Sequence, residues 1–154
     1  MNNLCFAEIN SPLTKDNVEQ LAEFDQSFFP QPWSKEDWSS LFHDFNPKLY
    51  ILKSRDDKIV GVCLFDILAA MSQAHLYKIA IHKSFRNQGI AWPFFQKSMD
   101  AVKLFPVSNC FLEVSVENIN AVKMYRAFGF EILTTKKRFY SNGEDAYAMQ
   151  VMFE

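Results

Sequence analysis

Three apolar segments follow one another with only short polar stretches between them: residues 49–53, residues 58–68 and residues 75–82. Their content of Ile, Val, Leu, Tyr and Phe predicts strands, and Ser54-Arg55-Asp56-Asp57 predicts a polar turn between the first two. Strands joined this closely form an antiparallel meander, because a parallel return needs a crossover of a dozen or more residues. A simple doubly wound parallel sheet is therefore excluded.

Other elements surround the meander. Residues 4–9 read as a short first strand. Val18, Leu21, Ala22, Phe24, Phe28 and Phe29 approximate a 3.6-residue period, a helix expected to end at Pro30 and Pro32. Ser34 before Lys35-Glu36-Asp37 is an N-cap with an acidic first turn, and Trp38, Leu41 and Phe42 form the apolar stripe of one short helix. Beyond residue 82 the pattern predicts a loop with Gly89, a helix to about Val102, a strand over 110–116, a helix over 118–128 and two closing strands around Asn142-Gly143. The predicted class is α/β of the α+β type: a mixed, mostly antiparallel sheet of about seven strands flanked by about four helices. The chain has 154 residues, 49% of them hydrophobic, and no linker or repeat divides it. One domain over residues 1–154 is expected.

Composition narrows the function. Sixteen Lys and Arg against 18 Asp and Glu leave a charge of -2, without the basic excess that phosphate-backbone binding needs, so direct contact with nucleic acid is not expected. Cys5, Cys63 and Cys110 are odd in number, far apart and in apolar surroundings, which predicts buried reduced thiols. His43, His75 and His82 have no ligand spacing with each other or with the cysteines, so no metal site is expected. The start MNNLCFAEIN carries neither a basic segment nor a long apolar run, and the apolar stretch 61–71 is short and includes Asp66. A cytoplasmic chain without a membrane segment is expected.

The stretch SFRNQGIAWPFF, residues 84–95, places a loop with one glycine between a predicted strand and a predicted helix. Unpaired N–H groups of a first helical turn, together with the helix dipole, favour an anion there. A single glycine matches neither the dinucleotide fingerprint nor the P-loop. Taken alone, Gly89 reads equally well as a residue that relaxes a turn. Further on, alternation in Phe111-Leu112-Glu113-Val114-Ser115-Val116 sends Leu112, Val114 and Val116 to one face and Glu113 and Ser115 to the other. Glu113 on its own also reads as a solvated strand position. Asn118 is a candidate N-cap and Gly129 a candidate C-terminal stop, with Ala121, Met124, Tyr125 and Phe128 on one helix face; Tyr125 fits a core position too.

Arg86-Asn87-Gln88-Gly89-Ile90-Ala91 resembles the signature with which the GNAT superfamily of acetyltransferases holds the pyrophosphate of acetyl-CoA. Asn-x-x-Ala-x-x-x-Tyr-x-x-x-Gly-Phe, residues 118–130, resembles that family's second signature, about thirty residues later. Pro32-Trp33-Ser34, Leu112-Glu113-Val114 and Arg138-Phe139-Tyr140 with Gly143-Glu144-Asp145-Ala146 and Met149 are similar to the ribosomal-protein-alanine N-acetyltransferase branch.

The resemblance implies acetyl-CoA as co-substrate and a protein N-terminal α-amine, of a ribosomal protein beginning with alanine, as acceptor. It implies that Glu113 is the general base and Tyr125 the general acid. Asn118 and Tyr125 would flank the cofactor. The backbone of residues 87–91 beside Arg86 would cradle the pyrophosphate, and Ile79, Ala80 and Ile81 would line the pantetheine arm, with an N–H near Ile79 or Ala80 facing the oxyanion. Trp33, Phe139 and Tyr140 would meet the acceptor, or serve only in packing. Glu144 and Asp145 either cap the last hairpin or attract a basic acceptor, and Lys136-Lys137-Arg138 reads as a solvated stretch. Pro93 departs from the signature by removing one N–H from the helix's first turn.

An α-amine, with pKa about 7.7–8.0 against about 10.4 for lysine, costs roughly 1 kcal/mol to deprotonate at neutral pH instead of more than about 4. One carboxylate relay suffices for it. Two other readings stay open: the same chemistry on a polyamine, an antibiotic or a protein lysine, and a module that binds acetyl-CoA without turnover. A monomer or weak dimer is expected, a C-terminal edge strand being the candidate for pairing.

Overall fold

The computed structural model describes residues 3–29 and 31–154; Pro30, expected to help end the first helix, lies outside them. Seven strands form one sheet in the order β1-β2-β3-β4-β5-β7-β6. β1 (Cys5–Ile9), β2 (Pro47–Lys53), β3 (Ile59–Leu68) and β4 (Gln73–Ile81) pair antiparallel in sequence, as the meander requires. β5 (Asn109–Ser115) runs parallel to β4, and β7 (Ala146–Met152) inserts antiparallel between β5 and β6 (Glu131–Lys136). The last strand is thus interior, and β6, almost wholly exposed, is the edge. The segment between β6 and β7 is longer than a hairpin turn: residues 137–145 form a loop, with Asn142 and Gly143 in a turn inside it.

Helices cover both faces. α1 (Lys15–Phe28) is capped by Thr14 and Asn17 in reciprocal bonds, and α2 (Lys35–Ser39) by Ser34 and Asp37 in the same way. The single helix expected beyond Ser34 is in fact two. Ser40 leaves helical geometry at φ -93°, ψ 5°, its hydroxyl bonds the Asp37 carbonyl, and α3 (Leu41–Asp44) begins afresh. With α4 (Ala91–Val102) and α5 (Ile119–Phe128) the α-helices among the described residues number five.

Leu21, Ala22, Phe24, Trp38 and Leu41 pack on one face of the sheet against Leu49, Ile51, Val62 and Leu64. Phe94, Phe95, Met99, Val102 and Tyr125 pack on the other against Phe65, Leu76, Leu112 and Val114. Each buried Val, Leu, Ile, Phe or Met side chain among these contributes about 1.5–3 kcal/mol of transfer energy, so the sheet is clamped from both sides. Cys63 and Cys110 lie in this core as free thiols, whereas Cys5 is exposed, because β1 is an edge strand with one face open.

Candidate active site

The two halves of the sheet part at its centre. β4 pairs with β5 only through Gln73, Ala74 and His75, opposite Asn109, Cys110 and Phe111. Just beyond, Leu76 opposes Phe65 and Lys78 opposes Leu64, leaving Tyr77 as a bulge that bends β4 and exchanges the faces of the residues after it. Ala74 and Leu76 point into the α4/α5 core, while Lys78 points to the α1/α2 side.

The ladder fixes which backbone groups face the gap. The His82 N–H donates to the Val60 carbonyl at 2.7 Å. By antiparallel alternation residues 78, 80 and 82 bond β3, and Ile79 and Ile81 turn their N–H and C=O toward β5. Ala80 therefore gives its N–H to β3, and of the two oxyanion candidates Ile79 is the one that faces the gap.

At the end of β4 the loop folds on itself. Arg86 Nε donates to the Ile81 carbonyl at 3.0 Å and its guanidinium lies 5.0 Å from the Phe28 ring centre, so this arginine braces the strand end. Gln88 Nε2 donates to the Ser84 carbonyl at 3.1 Å. Asn87 (φ 61°) and Gly89 (φ 71°) both adopt left-handed backbone, and a Cβ on Gly89 would meet nothing within 4 Å. The glycine is there for its backbone conformation, with open space above it. The first backbone bond of α4 runs from the Phe94 N–H to the Ile90 carbonyl, and Ile90 makes no side-chain cap. Among the described residues, the N–H groups of residues 87–92 find no acceptor in the protein. Together they form a row of unpaired donors at a helix N-terminus, suited to a phosphate. Pro93 is the third residue of α4, where an N–H would have been unpaired in any case.

Glu113 stands on β5 facing the α1/α2 side. Its Oε1 is 2.9 Å from His75 Nε2 and its Oε2 accepts from Lys136 Nζ at 2.8 Å. These bonds, the histidine's first, hold the carboxyl down at about 2 against the opposing effect of burial. Two positions along, the Ser115 hydroxyl donates to Glu144 Oε1 at 2.9 Å. Tyr125 is on the opposite side of the sheet, 5% exposed, with Phe95 and Phe130 around its ring. Burial pushes its hydroxyl pKa well above the ordinary tyrosine value. The sheet thus separates Glu113 from Tyr125, and the gap between β4 and β5 is the opening through it. Asn118 caps α5, its Oδ1 accepting from the Ala121 N–H at 3.3 Å.

Trp33 is half-buried against Trp38, Phe45 and Tyr77, with ring centres 4.9, 5.6 and 6.5 Å away. Its backbone N–H donates to Asp25 Oδ2 at 2.9 Å, and Lys78 Nζ donates to the same oxygen at 2.6 Å. Phe139 is 44% exposed and packs edge-on to half-buried Tyr140, whose hydroxyl is pushed up by burial and by nearby Glu113 and Glu144. Asp145 braces the 137–145 loop, accepting from the Arg138 N–H at 2.9 Å and from Lys137 Nζ at 3.2 Å. Lys136, read from sequence as solvated, instead ends on Glu113. His75, Lys78 and Asp25 also carry no local signal, since their partners are 38 and 53 residues away.

Residues 18–130 match the family described as "Acetyltransferase (GNAT) family". The chain is 30% identical over 140 residues to a Bacillus subtilis putative [ribosomal protein bS18]-alanine N-acetyltransferase, covering 88% of this chain and 89% of the relative. The ribosomal-protein-S18-alanine N-acetyltransferase of Escherichia coli superposes with a TM-score of 0.81 at 20% identity, covering 97% of this chain and 93% of that one. Arabidopsis thaliana NAA60 in complex with acetyl-CoA superposes with a TM-score of 0.82 at 18% identity, covering 97% and 98%. The chain therefore belongs to the GNAT acetyltransferase family.

Proposed function

We propose that the protein transfers the acetyl group of acetyl-CoA to the N-terminal α-amine of a protein, with a ribosomal protein beginning with alanine as acceptor. The observation that carries this reading is the parted β4–β5 seam, flanked by a carboxylate on one face, a tyrosine on the other and a row of free N–H groups at its end. The B. subtilis and E. coli relatives support the choice of acceptor.

In this reading the N–H groups of residues 87–92 hold the pyrophosphate, and the gap-facing backbone of Ile79 and Ile81 pairs with the pantetheine arm as an added strand would. Acetyl-CoA supplies the activated acyl carbon. The Ile79 N–H stabilises the oxyanion, and Glu113 serves through water as the general base that takes the proton from the attacking amine. Tyr125, kept protonated by burial, donates a hydrogen bond to the leaving sulfur. Trp33, Phe139 and Tyr140 flank the acceptor's entry.

Two peptides test the reading by mass spectrometry: one with a free N-terminal alanine and blocked lysines, the other with a blocked N-terminus and a free lysine. Acetylation of the first alone is expected. Acetylation of the second, or of neither, overturns the choice of acceptor.

A further inference from the structure

We infer that the acceptor's third residue is read by a subsite of its own, a shallow groove on the open half of the sheet that takes an apolar side chain. The inference rests on the α-amine reading above and deepens it. α1, α2 and α3 pack on side chains of β2 and β3, and none of the side chains buried beneath them comes from β5, β6 or β7. On that side the second half of the sheet has no helical cover among the described residues. Strand register sets Phe111 beside Gln150 and Glu113 beside Ala148, all on this open face.

A groove of about 170 Å³ lies there, and a small side chain and a bulge create it. Ala148 leaves a gap between Phe111 on β5 and Leu133 on β6, which a larger residue would close. Between Ile132 and Thr134 the register of β6 slips by one residue, leaving Leu133 unpaired and 60% exposed as one wall. Phe111 is the other wall, fixed by the His75 ring stacked on it at 4.1 Å. Gln73 and Gln150 bring amides to the far end, while the bonded Glu113 and Lys136 form the end nearest the seam.

Size, position and chemistry select the occupant. The volume is below the about 300–1,000 Å³ of a pocket for a whole small molecule, and suits one side chain. Because the bulge breaks the regular ladder of β6, this edge is a poor template for strand pairing with a second copy. The groove begins at Glu113, which the α-amine reading places at the acceptor's first residue. Phe111 stands two positions away along β5, about 7 Å, the advance of two extended residues, so the third side chain arrives over it. There Phe111, Ala148 and Leu133 offer apolar surface. A carboxylate would lose water without gaining a free partner, since Lys136 is held by Glu113.

Three acceptors test this: two lysine-blocked six-residue peptides beginning with alanine, one with leucine and one with aspartate third, and an alanyl-glycine amide that ends before the groove. The leucine peptide is expected to show a KM about tenfold below that of the aspartate peptide, with kcat within twofold. Ala148→Leu fills the groove, so it is expected to raise the leucine peptide's KM about tenfold, while kcat, the acetyl-CoA Kd and the rate on the dipeptide amide stay within twofold. Leu133→Ala, on an exposed edge, is expected to raise the same KM by a smaller factor. Equal KM values for the two peptides, an unchanged KM in Ala148→Leu, or an Ala148→Leu effect as large on the dipeptide amide as on the leucine peptide overturns the proposal alone and leaves the α-amine reading standing. A wild-type enzyme that acetylates no α-amine overturns that reading, and the proposal with it.

Discussion

The α1/α2 face of the central strands carries two groups of charged side chains, begun by residues three apart along β4, and they behave oppositely. Lys78–Asp25 is sealed: the side chains are 6% and 0% exposed, and the ammonium lies 4.5 and 4.6 Å from the ring centres of Phe29 and Trp33. There desolvation outweighs attraction, pushing Asp25 up and Lys78 down. His75–Glu113–Lys136 sits at the seam, with Lys136 44% exposed, and there hydrogen bonds outweigh burial and hold Glu113 down. Burial, rather than residue type, decides which group is a sealed fastener and which stays open to solvent. The sealed pair joins α1, β4 and the Trp33 backbone; the open one keeps a carboxylate beside the seam.

The largest effect expected from breaking this contrast is on stability. Asp25→Ala or Lys78→Ala leaves a buried charge without its partner and costs about 3–5 kcal/mol in chemical denaturation, whereas Asp25→Leu with Lys78→Met is nearly neutral, within about 1–2 kcal/mol. A double variant as unstable as the single ones would contradict the account of a fastener replaceable by packing.

Next comes rate. Glu113→Gln and Tyr125→Phe each lower kcat at least about tenfold while acetyl-CoA binds as before; stopped assays and calorimetry separate the two quantities. Unchanged rates in both would remove these residues from the chemistry.

A smaller effect appears in acid. The folded-state pKa of Glu113 is depressed from an ordinary 4.5 to about 2, so its contribution to stability is fully present above about pH 4.5 and is lost as pH falls toward 2. Glu113→Gln should flatten the stability curve across that window, as urea midpoints would show, with little change from pH 6 to 8. The smallest effect belongs to the loop: Gly89→Ala puts a side chain at φ 71° in open space and costs about 1 kcal/mol, with weakened acetyl-CoA binding beside it.

Local chemistry was legible in the sequence. The caps at Ser34 and Asn118, the stop at Gly129, the alternation around Glu113 and the strand–loop–helix with Gly89 stand where short-range rules place them. Register was not legible. The bulge at Tyr77 depends on a single slipped residue against β3, and it turns Lys78 from the α4/α5 core toward Asp25. The insertion of β7 between β5 and β6 likewise brings Lys136 to Glu113, which a reading of residues 136–138 as a charged run could not foresee. The charges that define the site were visible as residues, but their partners were set by strand order.

Hydrogen exchange of the backbone amides, with and without acetyl-CoA, addresses the central claim most directly. Slowed exchange at residues 87–92 and at Ile79 and Ile81 is predicted, since these N–H groups face the loop cradle and the seam. Protection confined to another surface, such as the groove lined by Trp92, Phe128 and Phe153, would contradict it.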